Sequence, residues 1–302
     1  MRQAFTGCGT ALVTPFTRSG GLDEAAVRRL ARRQIDAGIH FLVPCGTTGE
    51  TPTLTPDERL RVVEIVVEEA KGKVPVLAGA GGYNTHEVIE TAQQMARAGA
   101  DGILSVTPYY NKPTPEGLFQ HYKAIADAVP LPVIVYNVPG RTGVNVDVAT
   151  VVRLSALPNI AGVKEASGNV TQMCEICGAV PDGFLVLSGD DVLTLPVMSI
   201  GGRGIVSVAS NEVPSEMARM VEAAETGDFA AARRLHRELL PLMQVNFIES
   251  SPIPVKAAMA MMGLVEEVFR LPLVPPRPAS RDRIAQVLRD LGVPLGTATV
   301  RA

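Results

Sequence analysis

One lysine lies within an apolar stretch of the sequence, where burying a charged amine is energetically unfavourable. The chain of 302 residues has six lysines, and five of them fit helix ends, a helix surface, a loop or, for Lys256, a helix start between apolar neighbours. Lys164 alone lies within a short apolar run, residues 160–165. A buried ammonium must be paired or lose its proton. Lys164 is therefore either ion-paired with Glu165 or a nearby aspartate, or an amine that attacks a carbonyl group.

Hydroxyl groups and an arginine follow other apolar runs and match what carbonyl chemistry needs. Tyr136 ends the run before Lys164, where a phenol can relay protons to an imine or simply pack. Thr47 and Thr48 lie between two glycines, so they can hold a carboxylate with hydroxyls and backbone N–H groups, or form only a turn. Arg141 follows Pro-Gly in a loop, where it either binds an anionic substrate or stays a solvated surface group.

Metal and redox chemistry have weaker support in the sequence. The four histidines are scattered and lack the spacing to each other, to cysteine or to carboxylates that metal ligands show. Cys174 and Cys177 form a C-x-x-C pair on a predicted helix, without a second pair or a redox-type strand and helix context. We interpret them as two small buried residues. The sequence therefore predicts neither a metal site nor a redox-active cysteine pair.

The elements that carry these groups repeat along the chain. Eight apolar runs of about five or six residues, each with at most two charges, are typical of strands buried on both faces of a parallel sheet. Stretches of helical period separate them, for example residues 23–37 and 57–70, the second preceded by a capping Thr55 and Pro56. The runs span residues 10–15, 40–45, 75–80, 102–107, 132–137, 160–165, 184–188 and 204–209.

Eight strand and helix units predict an α/β fold, a (β/α)8 TIM barrel. A doubly wound open sheet is the alternative, but eight similarly apolar runs leave no visible edge strand. Three helical stretches follow the last unit, at residues 228–246, 253–262 and 280–291. We therefore predict a catalytic barrel over residues 1–226 and a C-terminal helical extension over residues 227–302. The active site of such a barrel lies at the carboxyl ends of its strands.

Composition excludes several function classes. The chain is 46% hydrophobic with a formal net charge of −3, so it has no overall basic field for nucleic acid or anionic lipid. No stretch approaches the roughly 20 apolar residues that span a bilayer, and the N-terminus lacks the order of a signal peptide. Four cysteines do not make a disulfide scaffold. We expect a soluble, cytoplasmic protein.

Three motifs together resemble a known family. They are Gly-Thr-Thr-Gly-Glu at residues 46–50, Tyr-Asn-Val-Pro-Gly-Arg-Thr-Gly at 136–143 and Gly-Val-Lys-Glu at 162–165. Their order and spacing are similar to those of the dihydrodipicolinate synthase family, within the pyruvate-dependent class I aldolase superfamily. The resemblance extends from about residue 6 to 273 and includes segments 108–111, 188–191 and 251–256.

The resemblance implies a reaction and roles for its catalytic residues. Lys164 would form an imine with pyruvate, whose enamine would attack L-aspartate 4-semialdehyde in lysine and diaminopimelate biosynthesis. Tyr136 would shuttle protons in a relay with Thr47 and Tyr110, and Tyr110 would come from a neighbouring subunit. The resemblance implies no metal or organic cofactor beyond this covalent imine. It also implies a homo-oligomer, a tetramer built from dimers.

The same resemblance implies four substrate-binding residues. Thr48 would hold the pyruvate carboxylate, Gly189 and Val206 would line the pocket, and Arg141 would bind the semialdehyde carboxylate. The alternatives are another pyruvate-dependent aldolase or dehydratase, acting on keto-deoxy sugar acids, sialic acid or 4-hydroxy-2-oxoglutarate, or a catalytically silent binding barrel. The Arg-Thr-Gly sequence after Gly140 favours the semialdehyde.

Feedback inhibition by lysine is not expected from the sequence. Lysine-inhibited members of the family carry histidines after the Gly-Glu turn and an asparagine on the third loop. Pro56, Arg59 and Tyr83 occupy those positions here, although Glu87 and Tyr109 are retained. We therefore predict weak or absent inhibition by lysine.

Overall fold

Eight parallel strands form a barrel in the computed structural model, which describes residues 2–296. The strands follow the order β2-β1-β8-β7-β6-β5-β4-β3, and a parallel bridge between Leu42 and Val76 links β2 to the approach of β3. The TIM-barrel prediction is thereby confirmed. The strands are β1 Gly7–Ala11, β2 Phe41–Val43, β3 Leu77–Gly79, β4 Gly102–Val106, β5 Val133–Asn137, β6 Ile160–Glu165, β7 Leu185–Ser188 and β8 Gly204–Ser207.

The boundary predicted for the first strand is wrong. The run at residues 10–15 overlaps β1 only at its end, because the strand begins at Gly7. Gly9 lacks a side chain since the Phe41 ring occupies its place, and a Cβ there would lie 2.1 Å from Phe41 Cε2. Such a glycine-containing strand carries little apolar signal. The seven other predicted runs overlap their strands.

Helices separate the strands and cover the outside of the barrel. Helix α2 starts as predicted: Thr55 caps it in a reciprocal capping box with Glu58, and Pro56 occupies its first turn. The barrel helices are α1 Glu24–Asp36, α2 Pro56–Ala70, α3 Thr85–Arg97, α4 Pro115–Ala128, α5 Pro139–Thr142, α6 Val148–Ser155, α7 Val170–Ala179, α8 Thr194–Ser199 and α9 Pro214–Glu225.

Three further helices follow the barrel, as predicted: α10 Phe229–Val245, α11 Ile253–Met261 and α12 Pro278–Asp290. Helix α10 packs against α9, and α12 packs against α10 and α11. The predicted boundary at residue 226 falls between α9 and α10. The division into two units stays a prediction, and its ends, residue 1 and residues 297–302, lie outside the described residues. No helix within residues 2–296 has the length and apolar character needed to cross a bilayer.

Two apolar layers share the strands. Outward-facing side chains pack against the helices, and inward-facing ones fill the barrel interior, among them Phe41, Leu104, Ile134, Leu187 and Val206. Because side chains alternate along a strand, only every second strand residue can reach the interior. The polar groups at the carboxyl end of the interior therefore decide what the barrel can bind.

Candidate active site

Lys164 and Tyr136 lie side by side on two adjacent strands, β6 and β5, inside the barrel. They occupy paired positions in the parallel register of β5 and β6, and Lys164 pairs with Leu187 of β7 on the other side. The Lys164 Nζ lies 4.0 Å from the centre of the Tyr136 ring. The strand register alone thus brings together the amine and the phenol predicted from the sequence.

Burial decides the charge of Lys164. The residue is 6% exposed, and the pKa of its ammonium is lowered to about 7. Burial is the largest cause, and the charge of Arg141 acts in the same direction, whereas that of Asp191 raises the pKa. A free lysine has a pKa of about 10.4, so at neutral pH the uncharged amine is here a major form rather than a trace. The neutral amine is the form that attacks a carbonyl group.

The alternative of an ion pair between Lys164 and Glu165 is wrong. The two side chains leave β6 on opposite faces, and no ion pair of Lys164 occurs among the described residues. The buried Glu165 carboxylate instead accepts hydrogen bonds from Asn137 Nδ2 at 2.9 Å, Gln172 Nε2 at 3.2 Å and the Ser167 backbone N–H at 2.6 Å. This amide network satisfies the carboxylate outside the barrel interior.

Tyr136 carries a buried phenol whose pKa is affected by two other predicted site residues, Thr47 and Arg141. The residue is 7% exposed, and burial raises the pKa of its hydroxyl, whereas Arg141 and a hydrogen bond with the Thr47 side chain lower it. The phenol is therefore protonated at neutral pH and not a phenolate. The Thr47 side chain is its hydrogen-bond partner.

Thr47 and Thr48 form a tight 3-10 turn after β2, spanning Thr47–Gly49. The backbone N–H of Gly49 donates to Gly46 O at 3.0 Å, and that of Glu50 donates to Thr47 O at 3.1 Å. Thr47 is half-buried, whereas Thr48 is 4% exposed. The turn thereby presents small polar groups at the carboxyl end of the barrel.

A cavity of about 250 Å³ opens at this end. Three predicted residues line it, namely Thr47, Tyr136 and Arg141. Arg141 lies on α5, is exposed, and donates from Nη2 to the Ser251 carbonyl oxygen at 3.0 Å, which orients its guanidinium. A small anionic molecule in this cavity would meet a guanidinium, hydroxyls and a phenol.

Two other predicted residues lie deeper, beside Lys164 or in the barrel interior. A Cβ on Gly189 would lie 3.0 Å from Lys164 Cε, so only glycine leaves the lysine side chain its present path. Val206 belongs to the same interior cluster as Tyr136. Lys164 is not among the residues that line the cavity, whereas Tyr136, whose ring lies against the Lys164 Nζ, does line it.

Tyr110 is not brought to the site within one chain. Its side chain is 90% exposed, and its backbone is left-handed with φ of 70°. The preceding Tyr109 does line the cavity and packs edge-on against Tyr83, with ring centres 5.2 Å apart. The side chain of Tyr110 is thus free, within this chain, to contact something else.

Sequence reasoning missed Asp191 as a site residue. Its buried carboxylate accepts hydrogen bonds from Ser207 Oγ at 2.6 Å and from the backbone N–H groups of Val208 and Ala209 at 3.0 Å. Its charge opposes the effect of burial on the pKa of Lys164. The signal was present, since Asp191 follows the end of β7, where barrel active sites draw their residues.

One further expectation is confirmed and one needs correction. Lys256 lies near the start of α11, as expected, and is fully buried and ion-paired with Glu50. The expectation of two buried cysteines is wrong, because Cys174 is exposed and Cys177 half-buried, both as free thiols. Helix α7 turns Met173 and Ile176 inward instead. No group of three potential metal ligands occurs within residues 2–296.

The fold and the site define the class of protein. A closed parallel barrel that holds a buried, weakly basic lysine beside a tyrosine is typical of α/β-barrel enzymes that use a lysine amine as a nucleophile. Comparison with known proteins makes the class specific. The sequence model of the Dihydrodipicolinate synthetase family matches residues 4–291, and the chain belongs to this family of enzymes.

Relatives resemble the chain over nearly its whole length. The 4-hydroxy-tetrahydrodipicolinate synthase of Koribacter versatilis is 55% identical over 97% of this chain and 98% of its own. The crystal structure of dihydrodipicolinate synthase from Aquifex aeolicus superposes with a TM-score of 0.95 at 44% identity, covering 97% and 100% of the two chains. A dihydrodipicolinate synthase variant described as the first monomeric one matches equally well, at 0.95, 42% identity, 97% and 99%.

Proposed function

We propose that the chain is a 4-hydroxy-tetrahydrodipicolinate synthase, which condenses pyruvate with L-aspartate 4-semialdehyde in the biosynthesis of diaminopimelate and lysine. The observation that carries the proposal is the buried Lys164 amine, whose pKa of about 7 and contact with Tyr136 suit imine chemistry. Membership of the family supports the choice of reaction.

The proposed reaction begins on Lys164. Its neutral amine attacks the keto carbon of pyruvate, and the carbinolamine loses water to give a Schiff base. The imine nitrogen, when protonated, acidifies the adjacent methyl group, which loses a proton and becomes the nucleophilic carbon of an enamine. This carbon attacks the aldehyde of the second substrate. The amine of that substrate then displaces Lys164 and closes the ring, so the lysine is regenerated.

Tyr136 is proposed to move the protons of these steps. Forming the carbinolamine, expelling water and protonating the new alkoxide each need a donor or acceptor next to Lys164. Tyr136 faces the ammonium, and its hydrogen bond with Thr47 links it to the cavity. Tyr110 is proposed to complete the relay from a neighbouring subunit. Its exposed side chain in this chain supports that assignment.

The two carboxylates of the substrates are assigned to separate groups. Thr48 and the backbone of the Thr47–Gly49 turn would hold the pyruvate carboxylate, with Gly189 and Val206 enclosing the methyl end. Arg141, at the open side of the cavity, would pair with the carboxylate of the semialdehyde. This assignment would keep the two anionic ends apart and bring the keto carbon of pyruvate to the Lys164 amine.

A relay that includes Tyr110 from a neighbouring subunit requires the protein to form an oligomer. We propose a homo-oligomer, a tetramer built from dimers in which each subunit completes its neighbour's site, acting in the cytoplasm without metal or organic cofactor. Sedimentation analysis of the chain would test the assembly. A Tyr110→Phe variant with unchanged turnover would contradict the shared relay.

One experiment tests the mechanism. The protein is incubated with pyruvate and reduced with borohydride, and peptide mass spectrometry locates the adduct, which we expect on Lys164. A matched variant, Lys123→Ala, removes a half-exposed lysine of α4 that pairs with Asp127 and should leave labelling unchanged. Labelling elsewhere, or none, contradicts the Schiff-base mechanism and would favour a silent barrel.

The second substrate is tested separately. Turnover is compared for L-aspartate 4-semialdehyde, sialic acid, keto-deoxygluconate and 4-hydroxy-2-oxoglutarate under the same conditions. We expect turnover with the semialdehyde and none of comparable rate with the others. A preference for any of the other three, with labelling of Lys164 intact, would assign the chain to another branch of the superfamily.

A further inference from the structure

A second buried lysine joins the C-terminal helices to the turn that carries Thr47 and Thr48. Lys256 of α11 donates from Nζ to Oε1 of Glu50, and both side chains are 0% exposed. Glu50 immediately follows the 3-10 turn Thr47–Gly49. The ion pair therefore involves the residue next to the turn that is proposed to bind the substrate carboxylate, although neither of its members is a proposed reacting group.

The surroundings of Lys256 leave its charge dependent on Glu50. Its Nζ lies 4.0 Å from the centre of the Phe16 ring and 5.4 Å from that of Phe269. Burial lowers the pKa of Lys256 to about 8, and Glu50 acts in the opposite direction. The backbone N–H of Arg270 donates to the other carboxylate oxygen, Oε2, at 3.4 Å. The Glu50 carboxylate is therefore held from two sides.

The backbone of Glu50 needs such support. Its φ of 52° is in the left-handed region, which is unfavourable for a residue other than glycine. Its carbonyl oxygen accepts hydrogen bonds from the backbone N–H and the hydroxyl of Thr53, at 2.8 and 2.9 Å, and its N–H closes the turn on Thr47. Residues in such conformations persist when their surroundings over-determine them.

Stability alone does not explain a charged pair here. Apolar residues of similar size commonly replace a buried ion pair without loss of stability. What apolar side chains do not supply is a directional contact that fixes one backbone conformation. We propose that Lys256 is a positioning residue, which holds Glu50 and thereby the Thr47–Gly49 turn in the conformation that receives the substrate carboxylate. This inference rests on the proposed function of that turn.

The test separates substrate binding from chemistry. In Lys256→Met, the pyruvate concentration that half-saturates borohydride labelling of Lys164 should rise by roughly ten- to a hundred-fold, the scale expected for a misplaced binding group. Labelling at saturating pyruvate should stay close to that of the unaltered protein, because Lys164 and Tyr136 are untouched. A purely structural role would lower the labelled fraction and the melting temperature without moving half-saturation.

A double variant keeps the test decisive if the single one folds poorly. Lys256→Met combined with Glu50→Gln removes both charges and leaves no unpaired one. We expect its melting temperature to recover towards that of the unaltered protein while half-saturation stays raised. A half-saturating concentration within about twofold of the unaltered value in both variants, well below the expected tenfold change, overturns the proposal.

A matched control comes from another buried contact between the extension and the barrel. Asn246 Nδ2, just after α10, donates to Glu212 Oε2 at 2.6 Å, and neither residue belongs to the turn. Glu212→Gln should leave half-saturation unchanged, and an increase equal to that of Lys256→Met would contradict a role specific to the turn. If the unaltered protein forms no adduct, the proposed function fails and this inference fails with it. An adduct with unchanged half-saturation in the variants overturns only the inference.

Discussion

The Nζ of Lys164 lies 4.0 Å from the centre of the Tyr136 ring, and the two residues occupy paired positions of neighbouring strands. Contact with an aromatic face favours the charged form of a lysine, whereas burial favours the neutral form. Burial prevails, because the pKa of Lys164 falls to about 7. The pair therefore combines an available amine with a protonated phenol.

Removing the phenol hydroxyl should slow the chemistry while preserving the packing. In Tyr136→Phe the ring still covers Lys164, so we expect kcat to fall by roughly 10²- to 10⁴-fold, the usual contribution of a positioned proton donor. The measurement is steady-state turnover with the semialdehyde. Tyr122→Phe is the control, because its buried hydroxyl only donates to Ser105 O at 3.1 Å. Comparable kcat values for the two variants would contradict the relay.

The pH dependence of labelling should report the ionisation of Lys164. Because the neutral amine attacks pyruvate, the initial rate of adduct formation should rise with pH through about 7 and level off above it. In Asp191→Asn the charge that raises the pKa of Lys164 is lost, so the midpoint should move to lower pH.

The neighbouring aspartate supplies the control for that shift. Asp190 caps the following 3-10 turn by accepting from the Val192 backbone N–H at 3.0 Å, and Asp190→Asn should leave the midpoint in place. Equal shifts in the two variants would contradict the electrostatic role of Asp191. A midpoint near the ordinary lysine value in the unaltered protein would contradict the lowering of the Lys164 pKa by burial.

Arg141 should affect the second substrate and not the first. In Arg141→Gln we expect KM for the semialdehyde to rise by about tenfold or more, because a bidentate, charge-assisted contact is lost. Half-saturation of labelling by pyruvate, measured at a pH where Lys164 is neutral, should stay the same. Arg141→Lys keeps the charge, so a full recovery of KM in that variant would argue against bidentate binding.

Lysine should inhibit weakly or not at all. Arg59 is half-buried and lines the cavity beside Tyr109, so its guanidinium opposes the approach of a ligand's ammonium group. Turnover is measured against increasing L-lysine, with L-arginine at equal concentration as the control for ionic strength. Half-maximal inhibition at sub-millimolar lysine would refute the prediction.

The repeat and the site motifs were accessible from the sequence, because each depends on local order. Eight apolar runs with helical stretches between them specify alternating strands and helices, and such a repeat closes into a barrel. Lys164 and Tyr136 could be singled out because each lies in or ends an apolar run, and parallel strands meet at their carboxyl ends. The start of β1 could not be predicted, because Gly9 contributes no apolar side chain to the pattern. A glycine is needed there because the ring of Phe41, far away in the sequence, fills the space of a side chain.

Tertiary structure decided the environments of the charged groups. Lys256 looks unremarkable between apolar neighbours, and only the fold brings it to Glu50, a residue 206 positions away. Asp191 likewise acts on Lys164 from the end of the next strand, and Cys174 is exposed because of how α7 lies on the barrel. Sequence alone determined which chemical groups stand at the strand ends. Their burial, partners and pKa values depend on distances between segments far apart in the chain, which only the folded structure sets.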